Sequence, residues 1–270
     1  MLHGRFGTLL RRRGMTVLLG ERIVERARAA LSRLFDDAAV GGIDMRVVEG
    51  IVHPLMGALR EGGVQGWLVL VHAHKSQDVV QHSLHVAGLA ANFAHHLGLS
   101  DRDCVTLVRA GLLHDIGKAR IPRAILDKPG ALTAAEMALM RTHAAIGHEI
   151  LLESGMRDPI VLAVARHHHE MLDGSGYPDR RAGGAIRELV RLTTVCDIYA
   201  ALTELRPYRT WMTRADALAI LREMAPTRLD PVLVQAFEAS LDASFARETA
   251  RTVRLSPPVV RRALCDGGPL

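Results

Sequence analysis

The chain of 270 residues is poor in aromatic side chains and in cysteine. Aromatic residues make up only 4% of it, so a core must be built from aliphatic side chains, Ala and Met, which favours helices. The three cysteines, Cys104, Cys196 and Cys265, are odd in number and widely spaced. This pattern excludes a disulfide framework and is typical of free thiols in a reducing compartment.

Long apolar runs are also missing. The longest, such as Gly66 to Val71, are far shorter than the ~18 residues that would span a bilayer. The N-terminus carries Arg11, Arg12 and Arg13 but no sustained apolar stretch before a small-residue cleavage site, which argues against a secretory signal. We therefore expect a cytoplasmic protein with no membrane span.

The overall composition is that of a globular protein. Hydrophobic residues make up 49% and charged residues 23% of the chain, values that exclude disordered and collagen-like classes. The net charge of +5 favours an anionic substrate without indicating binding to DNA or RNA. We place a domain boundary near Gly66, with a helical N-terminal segment of unassigned role at residues 1–65, the main domain at 66–245 and a C-terminal tail at 246–270.

Apolar residues recur with the period of about 3.6 that is typical of helices along most of the chain. In the N-terminal segment they predict one amphipathic helix at Glu21–Phe35 and a second after Asp44. Further helices are predicted at residues 67–97, 102–113, 133–153, 159–169, 187–202 and 214–224. Because strand-like alternation is scarce, the pattern predicts an all-α bundle. The N-terminal helices either pack against this bundle or pair two copies into a homodimer.

Histidine, in contrast, is abundant, with 14 residues. His114-Asp115 follows an apolar run, and Lys118 stands three residues after Asp115, so that on a helix all three side chains reach one cavity. Burying charge without a partner is costly, and a divalent cation would supply that partner. A salt-bridged helix end is the alternative interpretation of this doublet.

Further candidate ligands occur on other predicted helices. Asp78 and His82 have the i, i+4 spacing that places two side chains on one helix face. The others are His143, His167, His168, His169 and Asp197. Each alone is more often a core or surface residue. Their occurrence on successive helices indicates a shared metal site, since helix bundles build such sites from facing helices.

Six short motifs stand in a fixed order along the chain. They are His82-Ser83, His114-Asp115-Ile116-Gly117-Lys118, Lys128-Pro129-Gly130, His168-His169-Glu170, Gly176-Tyr177-Pro178 and Arg206-Pro207-Tyr208-Arg209. In this order they resemble the HD-GYP branch of the HD phosphohydrolases, over roughly residues 67–241. The resemblance implies an HD-type helical bundle that acts as a metal-dependent phosphodiesterase, hydrolysing cyclic di-GMP to pGpG and in some members onward to GMP.

The resemblance also implies a set of metal ligands, with Asp115 bridging two ions. The set comprises His82, His114, Asp115, His143, His168, His169 and Asp197. Some members use a carboxylate four residues before the first histidine for a third ion; the spacing favours this role for Asp78, and a non-ligand role is the alternative. The mixture of imidazole and carboxylate suits iron or manganese, with zinc as the alternative. Two such ions can activate a bridging hydroxide.

Four residues are implied to serve the substrate. Lys118 would act with Asp115 in catalysis, as a cation facing a non-bridging phosphate oxygen. Tyr177 would lie on the substrate side of the site, and Arg206 and Arg209 would grip the second phosphate or a guanine edge. The expected partners are cyclic di-GMP and other signalling proteins, and no nucleic acid is expected.

Three alternatives stay open from the sequence. The chain could be an HD phosphohydrolase for another nucleotide, including a mixed cyclic dinucleotide. It could instead be a catalytically weak or silent module that binds a cyclic dinucleotide or signalling partners. Finally, the histidine pair could be His167-His168 rather than His168-His169, although Glu170 favours the later pair.

Overall fold

A computed structural model describes residues 3–57, 78–204 and 212–255 of the chain, with side chains described from Glu21 to Ser244 inside these ranges. This part of the chain is all-α, as the sequence predicts, and its only β-type pairing is an isolated bridge between Asp173 and Ala182. None of the described helices combines the length and the apolar character that a membrane crossing requires.

The described chain contains eleven α-helices and two short 3-10 helices. In order they are α1 (His3–Val40), α2 (residues 45–57), α3 (Val79–His96), α4 (Asp101–Leu113), η1 (Ile116–Arg120), α5 (Arg123–Leu126), α6 (Ala134–Arg141), α7 (His143–Glu153), α8 (Pro159–His167), η2 (Gly183–Ala185), α9 (Glu188–Thr203), α10 (Arg214–Met224) and α11 (Pro231–Leu255). Capping side chains that accept a backbone N–H precede seven of them, namely Asp44, Asp78, Ser100, Thr133, Asp158, Thr213 and Asp230.

The helix predicted over residues 133–153 is two helices, which meet at Thr142. The Thr142 hydroxyl donates to the Leu139 carbonyl over 2.7 Å and its backbone N–H donates to the same oxygen over 3.1 Å, which ends α6. Helix α7 then restarts at His143. This break was not visible in the apolar periodicity, because both helices keep a similar pattern, and it is what places His143 at a helix start.

Helix α3 is the central element of the bundle and is buried on all sides. Leu84 and Ala87 belong to a core cluster shared with α1, α2, α4 and α8, whereas Leu89 and Phe93 belong to a second cluster shared with α9, α10 and α11. Each large aliphatic or aromatic side chain buried in this way contributes about 1.5–3 kcal/mol. His82 is therefore carried by the most firmly packed helix of the described chain.

The N-terminal helices pack against this bundle. Val24 and Leu31 of α1 are fully buried in the first core cluster, and the Arg120 side chain donates to the carbonyls of Ala38 and Gly41 at the end of α1. From Val24 to Ala38 the apolar face of α1 is thus covered by the chain's own helices, and a homodimer through the N-terminal helices stays a prediction. The boundary near Gly66 lies outside the described residues, and α11 continues through residue 245 to Leu255.

Candidate metal centre

Asp115 lies among histidines and is almost completely buried, with its side chain 1% exposed. Its Oδ2 atom is 2.6 Å from Lys118 Nζ and 3.3 Å from His114 Nε2. Its Oδ1 atom faces a different pair, His143 Nε2 at 3.2 Å and His168 Nε2 at 3.7 Å. The two oxygens therefore point to separate groups of donors, as a carboxylate shared by two cations must.

Asp197 is the second carboxylate of the cluster. Its Oδ1 atom lies 2.8 Å from His82 Nε2 and 3.8 Å from His114 Nε2, and its Oδ2 atom lies 3.9 Å from His169 Nδ1. His82 Nε2 is also 3.8 Å from Asp115 Oδ2. Asp197 thus connects the histidine of α3 to those around Asp115.

Three overlapping groups of side chains place their donor atoms within 4.8 Å of one another. They are Asp115 with His143, His168 and His169; Asp115 with His82 and His114; and His114 with His168 and Asp197. Asp115 belongs to two of the groups. The structure therefore brings together seven of the eight metal ligands predicted from the sequence.

The His114-Asp115 doublet is positioned by a close contact between two elements. Helix α4 ends at Leu113, and the chain tightens into η1 directly after Asp115. A Cβ atom at Gly117 would lie 1.9 Å from the His143 carbonyl oxygen, so only glycine allows η1 to approach α7 this closely. This approach brings Asp115 and His143 into contact.

Three of the histidines are oriented by backbone carbonyls. The Nδ1 atoms of His114, His143 and His168 lie 2.7, 2.8 and 2.9 Å from the carbonyl oxygens of Gly111, Met140 and Val164. Because a carbonyl only accepts, each Nδ1 carries the proton and donates. Each Nε2 lone pair consequently points to the centre of the cluster, which is the arrangement found in metal-ligating histidines.

Two buried atoms of the cluster have no hydrogen-bond partner. These are His114 Nε2 and Asp115 Oδ1. An unsatisfied buried polar atom costs about 1–3 kcal/mol and calls for an explanation. A divalent metal would satisfy both atoms, and the mixture of imidazole nitrogen and carboxylate oxygen suits transition metals. The donor set therefore fits a metal centre.

The electrostatics of the cluster support the same interpretation. Burial lowers the pKa of His143 and lowers that of His169 strongly, so both imidazoles are neutral near pH 7. Burial alone would raise the pKa of Asp115, but the charge of Lys118, together with the charge and hydrogen bond of His114 and the hydrogen bond of His143, holds that pKa well below its usual range. On its Oδ1 side, the ionised Asp115 carboxylate therefore faces the neutral imidazole of His143, and a cation can bind between them.

His82 differs because carboxylates lie at both of its ring nitrogens. Burial would lower its pKa, but the charge of Glu204 and hydrogen bonds to Asp197 and Glu204 raise it to about 10. Glu204 Oε1 lies 3.0 Å from His82 Nδ1 and 3.2 Å from His85 Nδ1. Glu204 and His85 are not among the site residues predicted from the sequence. A charged residue just beyond an apolar helix is a weak signal, since most such residues face solvent.

Asp78 is the predicted ligand that does not join the cluster. Its carboxylate caps α3 by accepting the Gln81 backbone N–H over 2.8 Å, and it pairs with Arg28 over 3.1 Å. Its side chain is 45% exposed. The spacing of four residues to His82 therefore reflects a helix cap in this structure.

Lys118 and Tyr177 lie beside the cluster. The Tyr177 ring is 4.7 Å from the His169 ring, centroid to centroid, with 30° between the ring planes, and the Arg141 guanidinium lies 5.2 Å from the centroid of Tyr177. The Lys118 side chain is 24% exposed, so its ammonium is partly accessible. Arg206 and Arg209 lie outside the described residues.

A buried glutamate anchors the loop that carries Tyr177. The Glu170 carboxylate accepts the backbone N–H groups of Asp179 over 2.7 Å and Arg181 over 2.9 Å. A Cβ atom at Gly176 would lie 2.4 Å from the His169 carbonyl oxygen, so a glycine is needed where the loop passes that residue. Glu170 and Gly176 together hold Tyr177 against His169.

The histidine run 167–169 is divided by the end of α8. His167 Nε2 lies 2.8 Å from Asp179, whereas His168 and His169 face Asp115 and Asp197. The His168-His169 pair favoured by Glu170 is therefore the pair that enters the cluster.

Comparison with known proteins identifies similar sequences. The family described as HD domain matches residues 70–233. The chain is 36% identical over 217 residues to "Cyclic di-GMP phosphodiesterase PA4108" of Pseudomonas aeruginosa, covering 80% of this chain and 52% of that protein. It is 41% identical over 168 residues to "3'3'-cGAMP-specific phosphodiesterase 3" of Vibrio cholerae, covering 62% of this chain and 36% of that protein.

A solved structure with a similar fold is that of Bd1817, an HDG"Y"P protein from Bdellovibrio bacteriovorus. It aligns with a TM-score of 0.65 at 18% identity, over 82% of this chain and 70% of that one. The likeness supports the fold of the described helices. The chain spans only about half or less of the two curated relatives described above.

Proposed function

Because the chain belongs to the HD domain family, we propose that it is a metal-dependent phosphodiesterase that hydrolyses cyclic di-GMP to pGpG. One observation carries the proposal: the two oxygens of buried Asp115 face separate groups of histidine donors. A shared carboxylate of this kind suits two divalent ions, iron or manganese by donor type. When bound, two such ions would activate water and neutralise charge on the phosphate group.

The chain's own residues hold and orient the reacting groups. Hydrolysis joins a water oxygen to phosphorus, breaks the bond from phosphorus to the 3′-oxygen, and leaves a proton on that oxygen and a 5′-phosphate on the product. Lys118 is held by Asp115 over 2.6 Å and is partly exposed, so its remaining N–H groups can meet a non-bridging phosphate oxygen and offset its developing charge. Tyr177 closes the His169 side of the site, and Arg206 and Arg209 would bind the second phosphate or a guanine.

The names of the relatives support this substrate class and also suggest a second candidate. The relative from Pseudomonas aeruginosa is named as a cyclic di-GMP phosphodiesterase and the one from Vibrio cholerae as specific for 3'3'-cGAMP. The two dinucleotides differ in one purine base and share the phosphodiester backbone that faces the metal ligands. Hydrolysis of 3'3'-cGAMP is therefore the second candidate function. Cys104 and Cys196 are buried and in no disulfide, which agrees with the proposed cytoplasmic location.

The test is turnover of the two dinucleotides by the same preparation. Protein purified without oxygen is loaded with Mn²⁺ or Fe²⁺ and incubated with cyclic di-GMP or 3'3'-cGAMP, and linear products and GMP are followed by chromatography. We expect conversion of cyclic di-GMP to pGpG that chelation of the metal abolishes. Faster conversion of 3'3'-cGAMP would favour the second candidate. Binding of either dinucleotide without turnover would contradict both and favour a silent binding module.

A further inference from the structure

Glu204 places one buried carboxylate against two histidines of α3. Its Oε1 and Oε2 atoms lie 3.0 and 3.1 Å from His82 Nδ1, and Oε1 lies 3.2 Å from His85 Nδ1. The side chains of Glu204, His82 and His85 are 14%, 9% and 1% exposed. Burying a carboxylate to this extent is unfavourable unless hydrogen-bonded partners offset the loss of water. The contacts with His82 and His85 supply those partners.

His82 is held between a carboxylate on α9 and a second one directly after its end. Asp197 lies on α9 and Glu204 is the residue that follows its last residue, Thr203. The two are seven residues apart, about two helical turns, so Glu204 leaves the end of α9 on the side that carries Asp197. Asp197 Oδ1 lies 2.8 Å from the Nε2 atom of His82, and Glu204 lies at the opposite ring nitrogen, Nδ1. The packing of α9 against α3 therefore sets the position and the rotation of this imidazole ring.

The partner of His82 also differs in charge from those of other histidines in the cluster. His114, His143 and His168 are oriented by neutral backbone carbonyls. A carboxylate fixes the same Nδ1–H tautomer and in addition brings a full negative charge behind the ring, which makes Nε2 a stronger donor to a cation. The imidazole of His82 therefore has a charged partner behind it, whereas the imidazoles of His114, His143 and His168 have neutral partners.

We propose that Glu204 is a positioning residue of the metal centre. It holds His82 with Nδ1–H toward its own carboxylate and Nε2 toward Asp197, and it thereby selectively strengthens the ion position formed with His82 over the position formed by His143, His168 and His169. His85 shares the carboxylate and limits its movement. The inference rests on the metal centre of the proposed function and adds a residue outside the ligand set.

The first test measures metal affinity without reference to turnover. Full-length protein and the variant Glu204→Gln are titrated with Mn²⁺ by calorimetry, and the dissociation constants of the two ions are compared. Loss of such a partner typically weakens metal binding about 10–100-fold. We expect this loss for one ion and an unchanged constant for the other. Glu136→Gln is the matched control, because Glu136 is a partly buried carboxylate on α6 that pairs with Lys128.

The second test reads the tautomer of His82 directly. In protein loaded with diamagnetic Zn²⁺, nitrogen-15 NMR of the histidine rings should show His82 protonated at Nδ1. In Glu204→Gln the amide offers a donor as well as an acceptor and no longer fixes the ring, so part of His82 is expected to leave the ion, with its Nε2 signal moved from the metal-bound position. Glu204→Asp keeps the charge but shortens the reach by one carbon, and its loss of affinity should be smaller than that of the glutamine variant.

The outcomes separate this inference from the proposed function. Two ions bound with the same constants and the same His82 tautomer in the native protein and in Glu204→Gln would overturn the inference alone. Equal weakening of both ions would also overturn it, since it would indicate a general structural role. Should Glu204→Gln fail to fold, Glu204→Asp decides by the same criteria. Absence of metal binding by the native protein would overturn the proposed function itself.

Discussion

Two clusters of histidine and carboxylate lie on either side of a single peptide bond, between His167 and His168. On one side, Asp179 accepts two hydrogen bonds of 2.8 Å from the Arg166 guanidinium and contacts His167 over 2.8 Å. On the other side, Asp115 meets His168 and the other side chains of the candidate metal centre. The same residue types thus build two different kinds of site one residue apart.

The difference lies in the partners and in the exposure. Asp179 is 29% exposed. Hydrogen bonds from Arg166, which is always charged, lower the pKa of Asp179, so Arg166 already neutralises the charge of this carboxylate. Asp115 is 1% exposed, and two buried atoms of its cluster, Asp115 Oδ1 and His114 Nε2, have no hydrogen-bond partner. A histidine beside a carboxylate is therefore not a metal site in itself. Neutral imidazoles aimed at a buried carboxylate with unused oxygen lone pairs are the distinguishing feature.

The sharpest way to break this comparison is to remove each carboxylate in turn. Asp115→Ala should release the metal and lower turnover of cyclic di-GMP by at least about 1000-fold, because both ion positions lose their shared ligand. Asp179→Ala should keep its metal. Elemental analysis and product chromatography on both variants check this. Bound metal and full activity in Asp115→Ala would contradict the assignment of the centre.

The variant Lys118→Ala distinguishes a residue that stabilises charge on the substrate from residues that hold the metal. Lys118 contacts Asp115 from the partly exposed side, so the variant should keep its metal. Its kcat should fall about 100- to 1000-fold, because a group that stabilises charge in the transition state is removed. Steady-state kinetics at saturating metal, combined with elemental analysis, measures both. Loss of metal in this variant would assign Lys118 to the structure of the centre instead.

Metal uptake at the His82 end should release a proton. The pKa of His82 is raised to about 10, so this imidazole is protonated at pH 8 and must lose the proton on Nε2 to bind an ion. We expect release of about one proton and an affinity that weakens about tenfold for each unit the pH falls. Calorimetry in two buffers of different ionisation enthalpy measures the release. A binding heat that is independent of the buffer would contradict the prediction.

The smallest expected effect is on stability, at Asp179. Replacing it by Asn should lower the free energy of unfolding by about 1 kcal/mol or less, since the ion pair is partly exposed. The folded pKa of Asp179 lies below its unfolded value of about 3.9. Its contribution is therefore present above about pH 4 and declines as the pH falls further. Denaturant titrations of both proteins at pH 7 and pH 3 should show a smaller difference at pH 3.

The helices were the most predictable part of the molecule. Helix α10 has the predicted bounds, Arg214–Met224, because its apolar period and its cap Thr213 are both local signals. The N-terminal helix extends beyond the predicted Glu21–Phe35 in both directions, to His3–Val40. The break at Thr142 was missed; the helix start that follows it lies against Gly117 of η1, a contact between distant residues that no local pattern records.

The ligand set was predictable for a different reason. Burying His114-Asp115, His143 or Asp197 in an apolar helix is costly without a cation, so these residues stand out in the sequence. The motifs that contain them resemble the HD phosphohydrolases, and membership of the HD domain family confirms this. Asp78 and Glu204 show what such reasoning leaves open. Both are carboxylates at helix ends, and the sequence does not indicate which one turns toward His82.

The order of apolar and ionisable residues along the chain was sufficient to determine an all-α bundle and most side chains of its candidate metal centre, because helix period and the cost of burying charge are local properties. Folding in three dimensions decided which atoms meet. In the folded chain Asp78 caps α3 and pairs with Arg28. His167 contacts Asp179, and Glu204 contacts His82. Those contacts depend on how α3, α8 and α9 pack, and packing is a property of distant residues together.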